Sequence, residues 1–270
     1  MKKLWVLALL FMNNTFALTL DELKEKGVMR VGIIDDYPPF AYNNGKGEIV
    51  GSNVDIAQAV ATAVLGPEGK LEVVKIDRND RIKSLVNKEL DWVIAAFDRN
   101  KVSNSRILEQ IRFGAPYLRV ELSIISPQEK PINSVGELQS LKVAIKTDPK
   151  TFTNMKKRLP SVELERFDTP EETLAALKSG KVAAIIGENR DFWALLTKNR
   201  DLKISVDSLE TMESARPIFR QEDRELEEAV SAEIRTLTSS GKLKEIYSKN
   251  FKAFYGGGFN CDVLIPQDKN

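Results

Sequence analysis

Short apolar strands alternate with amphipathic helices along this chain, and the alternation runs through twice. Val28–Ile34, Leu71–Ile76 and Trp92–Phe97 read as strands, in β-branched or aromatic runs too short for helices. Between them, Val54–Leu65 carries Ile56, Ala57, Val60, Ala61 and Val64 at the spacing of a helix with one buried face, and Arg81–Asn87 follows as a second helix. Thr19–Lys26 is a short leading helix, with Thr19 to cap it, Glu22 at capping-box spacing and Gly27 to end it. Tyr42–Gly51 holds Asn-Asn-Gly and Gly47, the turn residues of a hairpin. The second pass has strands at Leu141–Ile145, Val162–Phe167 and Val182–Ile186, with helices at Thr151–Arg158 and Pro170–Lys178. Such alternation predicts an α/β fold built on mostly parallel, doubly wound sheets.

Two stretches, Leu85–Ile94 and Leu177–Ile186, align without gaps, each a helix end, a tight turn and a buried strand. Their identities are few, so the shared unit argues for two lobes of similar build and not for common ancestry. Arg119–Ser126 is extended and apolar, as a strand crossing between lobes would be, and Ala215–Phe219 is a second such stretch. The tail Glu222–Phe251 reads as helix, with Leu226, Val230, Ile234 and Leu237 on one face. Residues 18–120 and 216–270 are therefore expected to form lobe 1, and 121–215 lobe 2, joined by two crossing strands as a hinge. In open sheets of this kind ligands sit at the carboxyl ends of strands. Four segments meet that rule: Asp35–Phe40, Ala96–Arg99, Lys146–Thr151 and Gly187–Asp191.

Ahead of the first helix, Met1–Ala17 gives Lys2 and Lys3, the apolar run Leu4–Met12, then small residues at Thr15 and Ala17. This is the order of a secretory signal peptide, and the run is too short for a bilayer, which needs about 20 apolar residues. A buried N-terminal helix is the alternative. Composition narrows the function. The 270 residues carry 40 Lys+Arg against 39 Asp+Glu, without the basic excess that nucleic-acid binding usually needs. Histidine is absent, which removes Ser-His-Asp and Cys-His nucleophiles and histidine-ligated zinc. The one cysteine, Cys261, permits neither an intramolecular disulfide nor a thiolate cluster. No metal, cofactor or catalytic residue is expected.

The chain resembles the amino-acid-type solute-binding proteins of bacterial ABC importers, the extracellular family 3 group. The motifs are Val28-Met29-Arg30-Val31-Gly32 with Tyr37-Pro38-Pro39-Phe40, Val50–Ala57, Leu90–Ala96, Phe113-Gly114-Ala115-Pro116-Tyr117, Thr173–Ile186 and Gly241–Phe251. Singly they are weak; in this order, after a signal peptide, they are specific. The resemblance implies a periplasmic-binding-protein fold of type II and a monomeric periplasmic receptor. It would close two lobes on a small polar metabolite, an amino acid above all, and hand it to an inner-membrane ABC permease. A rival on the same scaffold is an enzyme similar to the periplasmic cyclohexadienyl dehydratases, with Glu188 as its acid.

An amino-acid zwitterion in a dry cleft needs a cation or N–H donors for its carboxylate, an acid for its ammonium and a wall for its side chain. Tyr37 and Phe40 match the family's aromatic wall, although Phe40 reads equally well as core. The carboxylate site departs from the family's Thr-x-x-Arg pattern. Ala96 opens the strand-end segment, Asp98 stands where the hydroxyl belongs, and Arg106 or Arg99 is the counterpart of the arginine. Asp98 would repel a ligand carboxylate unless Arg99 neutralises it. In lobe 2 the family's hydroxyl turn becomes Lys146-Thr147-Asp148-Pro149-Lys150-Thr151, where Thr147 and Thr151 offer hydroxyls or serve as turn and cap, and Pro149 removes a donor. The family's ammonium-binding Asp aligns with Glu188. Arg81 resembles the side-chain arginine of acidic-amino-acid binders; a helix-start surface charge is its other reading.

Overall fold

The structure, a computed structural model, describes residues 17–97, 105–147, 149–211, 214–256 and 261–267. Helix α1 (Leu20–Lys26) opens on the expected capping box, Thr19 accepting from Glu22 N–H while the Glu22 carboxylate accepts from Thr19 N–H, and closes on Gly27 at φ 62°. The chain then builds two α/β lobes. In the first, the strand order is β5 (Lys70–Lys75), β1 (Val28–Ile33), β6 (Trp92–Phe97), β13 (Arg216–Arg220), β7 (Ile111–Phe113). In the second it is β10 (Glu163–Phe167), β9 (Lys142–Lys146), β11 (Ala184–Glu188), β8 (Glu121–Pro127), β12 (Leu202–Thr211). A small sheet of β2 (Asp36–Tyr37), β3 (Ala41–Asn43) and β4 (Ile49–Val50) sits beside the first.

Each large sheet has a parallel core, β5-β1-β6 and β10-β9-β11, next to which one strand, β13 or β8, runs the opposite way, and the outermost strand, β7 or β12, runs with the core again. The antiparallel members β8 and β13 are the crossing strands. A strand arriving from the other lobe enters at the carboxyl ends of its neighbours and must run the opposite way. Both faces of each sheet are buried, and the side-chain period of two assigns residues to faces. In β6, Trp92 and Ile94 join one core while Val93 and Ala95 join the other. In lobe 2, Val143, Ile145, Ala184 and Ile186 pack on one side, and Ala144 and Ile185 on the opposite one.

Helices α2 (Ser52–Leu65), α3 (Arg81–Val86) and α4 (Ser105–Gln110) belong to lobe 1, and α5 (Pro149–Arg158), α6 (Pro170–Lys178) and α7 (Asn189–Lys198) to lobe 2. The sequence gives no expectation for α7 or β12. The tail is not one helix but two, α8 (Arg224–Ser239) and α9 (Lys242–Tyr255), broken where Gly241 takes φ 78°. Their apolar faces, Leu226, Val230 and Ile234 with Leu243, Tyr247 and Phe251, cover the lobe 1 core. Pro149 is the first residue of α5, where a missing N–H costs the helix itself nothing, while the helix start has one donor fewer to offer.

The crossing segments are tied by an antiparallel bridge between Leu118 and Ala215, with Arg119 paired to the buried Glu121 beside it. Asn189 Oδ1 accepts from Glu121 N–H at 3.4 Å, and Trp193 of α7 meets Phe251 of α9 edge-on at 6.3 Å within the lobe 1 core. Helix α7 thus couples the lobes near the hinge. Among the described residues no helix is long and apolar enough to cross a membrane.

Candidate functional site

The chain leaves β1 into a turn that presents Tyr37. Gly51 faces that turn at φ 131°, and a Cβ there would meet the carbonyl carbon of Phe40 at 2.7 Å, so only glycine lets the two segments close. The opening of α2 is satisfied by the same turn, Ser52 N–H donating to Pro39 O at 3.1 Å and Asn53 N–H to Phe40 O at 2.8 Å. Tyr37 stacks on Phe40 with centroids 5.2 Å apart and planes at 17°. Phe40, 2% exposed, meets Tyr247 and Phe251 edge-on at 6.2 and 5.5 Å. Phe40 is therefore core that backs the wall, and Tyr37 is the ring in front of it.

Tyr37 reaches the other lobe. Its hydroxyl donates to Asp191 Oδ1 at 3.2 Å, and Lys146 Nζ meets Asp191 Oδ2 at 2.5 Å. Lys146 ends β9, and Asp191 lies in the first turn of α7, just past the neighbouring β11. Lys146 and Asp191 are 28% and 14% exposed, so this cation–carboxylate pair is largely withdrawn from water. Neither residue was singled out from sequence, although both lie in segments marked by the strand-end rule. What joins them is the lateral pairing of β9 with β11, which sequence spacing does not carry.

Glu188, the last residue of β11, is 4% exposed. Gly187 precedes it, and a Cβ there would run into the Phe192 ring, which tucks under the strand end and sets the course of α7. Thr147, directly after β9, is 7% exposed, and its Oγ1 has no hydrogen-bond partner among the described residues. A buried hydroxyl in that condition has hydrogen-bonding capacity left for a water or a ligand. Thr151 is half-buried in the first turn of α5.

Lobe 1 contributes the arginines. Arg81, the first residue of α3, is half-buried, and burial, with Arg78 adding to it and Tyr117 opposing, lowers its pKa. It is a partly desolvated cation at the start of α3. Arg106 is exposed on α4. Ala96 is in β6, next to Phe97, which pairs with Arg216. Asp98 and Arg99 lie outside the described residues. Among the described residues no group of three or more Cys, Asp or Glu is arranged to hold a metal. The collected chemistry, an aromatic ring, two carboxylates, a lysine and an open hydroxyl, suits a small zwitterion.

The chain is similar to known proteins over most of its length. The family model of bacterial extracellular solute-binding proteins, family 3, matches residues 29–253. A glutamine-binding protein of Geobacillus stearothermophilus is 27% identical over 188 residues, 69% of this chain and 70% of that one. The L-cystine-binding protein of Escherichia coli is 25% identical over 87% of this chain and 86% of its own. Among solved structures, the solute receptor for L-cysteine of Neisseria gonorrhoeae superposes with a TM-score of 0.60 at 29% identity, covering 93% of this chain and 100% of the receptor.

Proposed function

We propose, from the premise that this chain belongs to the bacterial extracellular solute-binding proteins, family 3, that it is an exported receptor which captures an amino acid between its lobes and presents it to an ABC-type permease. In this reading residues 1–17 are removed on export, residues 18–120 with 216–270 form one jaw, 121–215 form the other, and the receptor acts as a monomer. The observation that carries the reading is the hydrogen bond from Tyr37 of one lobe to Asp191 of the other, which supports two faces meeting over a common cleft.

The roles follow from charge and reach. The ligand side chain lies against the Tyr37 ring. Its ammonium is taken by Glu188, with Asp191 close by on the next helix. Its carboxylate goes to Arg106, while the partly desolvated Arg81 serves a polar group further along the ligand. Thr147 Oγ1, buried and open, gains a partner when the ligand arrives. Binding to both lobes at once favours the closed form by the difference in contacts it makes in the two states. No chemistry is done on the ligand. Glutamine, cystine and cysteine, named for the relatives, are the first compounds to try.

The test is a thermal-shift screen of the purified mature protein against amino acids, polyamines and small carboxylates, with mass spectrometry of the recovered ligand. The expected result is stabilisation by one or a few amino acids, recovered unchanged; at 100-fold excess over Kd the gain is about 2.7 kcal/mol. A panel of amino acids without effect, or a ligand recovered as a different compound, overturns the reading.

A further inference from the structure

The first residues after the expected export signal are held by two acids at the start of α8. Leu18 N–H donates to Asp223 Oδ1 at 2.8 Å, and Leu20 N–H to Glu225 Oε2 at 3.4 Å. Asp223 is fully buried, and its other oxygen pairs with Arg220 at 2.5 Å. Arg220, itself 4% exposed, donates to the carbonyls of Leu85 and Leu90. Asp223 occupies the N-cap of α8 and yet makes no capping bond to that helix. An aspartate in this place ordinarily turns its carboxylate back onto the helix N–H groups. Here it turns away, toward Leu18 and Arg220.

Leu18 is the residue that a cut after Ala17 makes the first of the mature chain. Hydrolysis breaks the Ala17–Leu18 C–N bond: the hydroxyl of water goes to the Ala17 carbonyl, a proton goes to the Leu18 nitrogen, and a further proton from solvent makes it an ammonium. The nitrogen that now faces Asp223 as an amide would face it as a cation. We propose that Asp223 is the docking site for the α-ammonium of the mature chain, so that export processing converts a neutral-donor hydrogen bond into a charge-assisted ion pair that clamps the new terminus to lobe 1. The inference rests on the export reading and is independent of what the cleft binds.

The surrounding charges set the sign of its pH dependence. Asp223, with Glu222 and Glu225 on the same stretch, favours the ammonium; Arg220 opposes it. An α-amino group has an ordinary pKa of about 7.7–8.0, and a carboxylate partner raises it in the folded state. The contribution to stability is therefore present below about pH 7.7 as long as Asp223, whose pKa burial raises, stays ionised, and it is lost as the pH rises through the folded-state value of the ammonium.

The experiment expresses the whole precursor with export and takes the intact mass of the product. Its melting is then compared with that of a version retaining Asn14–Ala17, in which the Leu18 nitrogen is again an amide, from pH 6.5 to 10. The same pair is made with Asp223→Asn. Expected are a mass beginning at Leu18, a Tm about 2–4 °C higher for the mature chain near pH 7, and a difference that closes by pH 10 and is absent with Asp223→Asn. A product beginning elsewhere overturns the processing step. A product beginning at Leu18 whose Tm advantage is nil or pH-independent overturns the docking. If Asp223→Asn does not fold, the pH series with the unsubstituted pair decides alone.

Discussion

Replacing Tyr37 with Phe removes one oxygen and leaves the ring, so the stack on Phe40 at 5.2 Å survives. What is lost is the 3.2 Å hydrogen bond to Asp191. A hydrogen bond to a charged group nets about 1.5–3 kcal/mol when buried. Tyr37 is only half-buried, and Asp191 keeps Lys146, so a value of about 1 kcal/mol applies after allowance for solvent. Because the bond runs between lobes, its loss falls on the closed form and not on either lobe by itself. The closed-to-open ratio drops by about 5-fold, and so does affinity for the ligand, since binding draws on the closed population. Titration calorimetry with the best amino acid from the thermal screen reads this directly. Unchanged affinity would mean that the bond does not persist in the bound state. Tighter binding would mean that Tyr37 withholds Asp191 from the ligand, and the argument for a closing contact would be refuted.

Thr147→Val keeps the shape and removes the open hydroxyl; ligand-free Tm should hold or rise slightly, while the shift produced by ligand shrinks, and a fall in ligand-free Tm would show that the hydroxyl is already partnered. Gly187→Ala drives a methyl into the Phe192 ring, an overpacking that costs about 1–3 kcal/mol, read as a lower denaturation midpoint with the slope unchanged. Burial pushes the Tyr255 phenol up to about 12 and the Tyr247 phenol well above its usual value. Unfolded tyrosines ionise near pH 10, so above that pH the unfolded chain binds fewer protons than the folded one and stability falls as pH rises. Absorbance titration should show these two phenols ionising together with unfolding; ionisation near 10 in the folded protein would contradict their burial.

Much of the fold is legible in the sequence because the sheets are buried on both faces. Trp92–Phe97 is an apolar run with no polar side to dilute it, and the strand is found at those bounds. Leu202–Thr211 is hard to read for the opposite reason: an edge strand, it mixes Lys203, Ser205 and Glu210 into its pattern. The tail reads as one helix because the apolar faces of α8 and α9 continue on either side of Gly241, and periodicity alone does not register a turn of the axis. Within the site, Tyr37 and Glu188 could be nominated by position at strand ends. Lys146 and Asp191 could not, since their meaning comes from two strands lying side by side and from the opposite lobe facing them. Asp223 shows the converse limit, a residue with a cap's position whose carboxylate is engaged elsewhere.

The central claim, two lobes that shut on an amino acid, is tested by a distance between them. Spin labels at the exposed Lys46 of lobe 1 and Lys157 of lobe 2, in a Cys261→Ser background, report the separation with and without saturating ligand. The expected result is a narrower distribution shifted to shorter distance, with a control pair inside lobe 1 unmoved. An interlobe distance that stays the same while ligand binds would contradict closure around the guest.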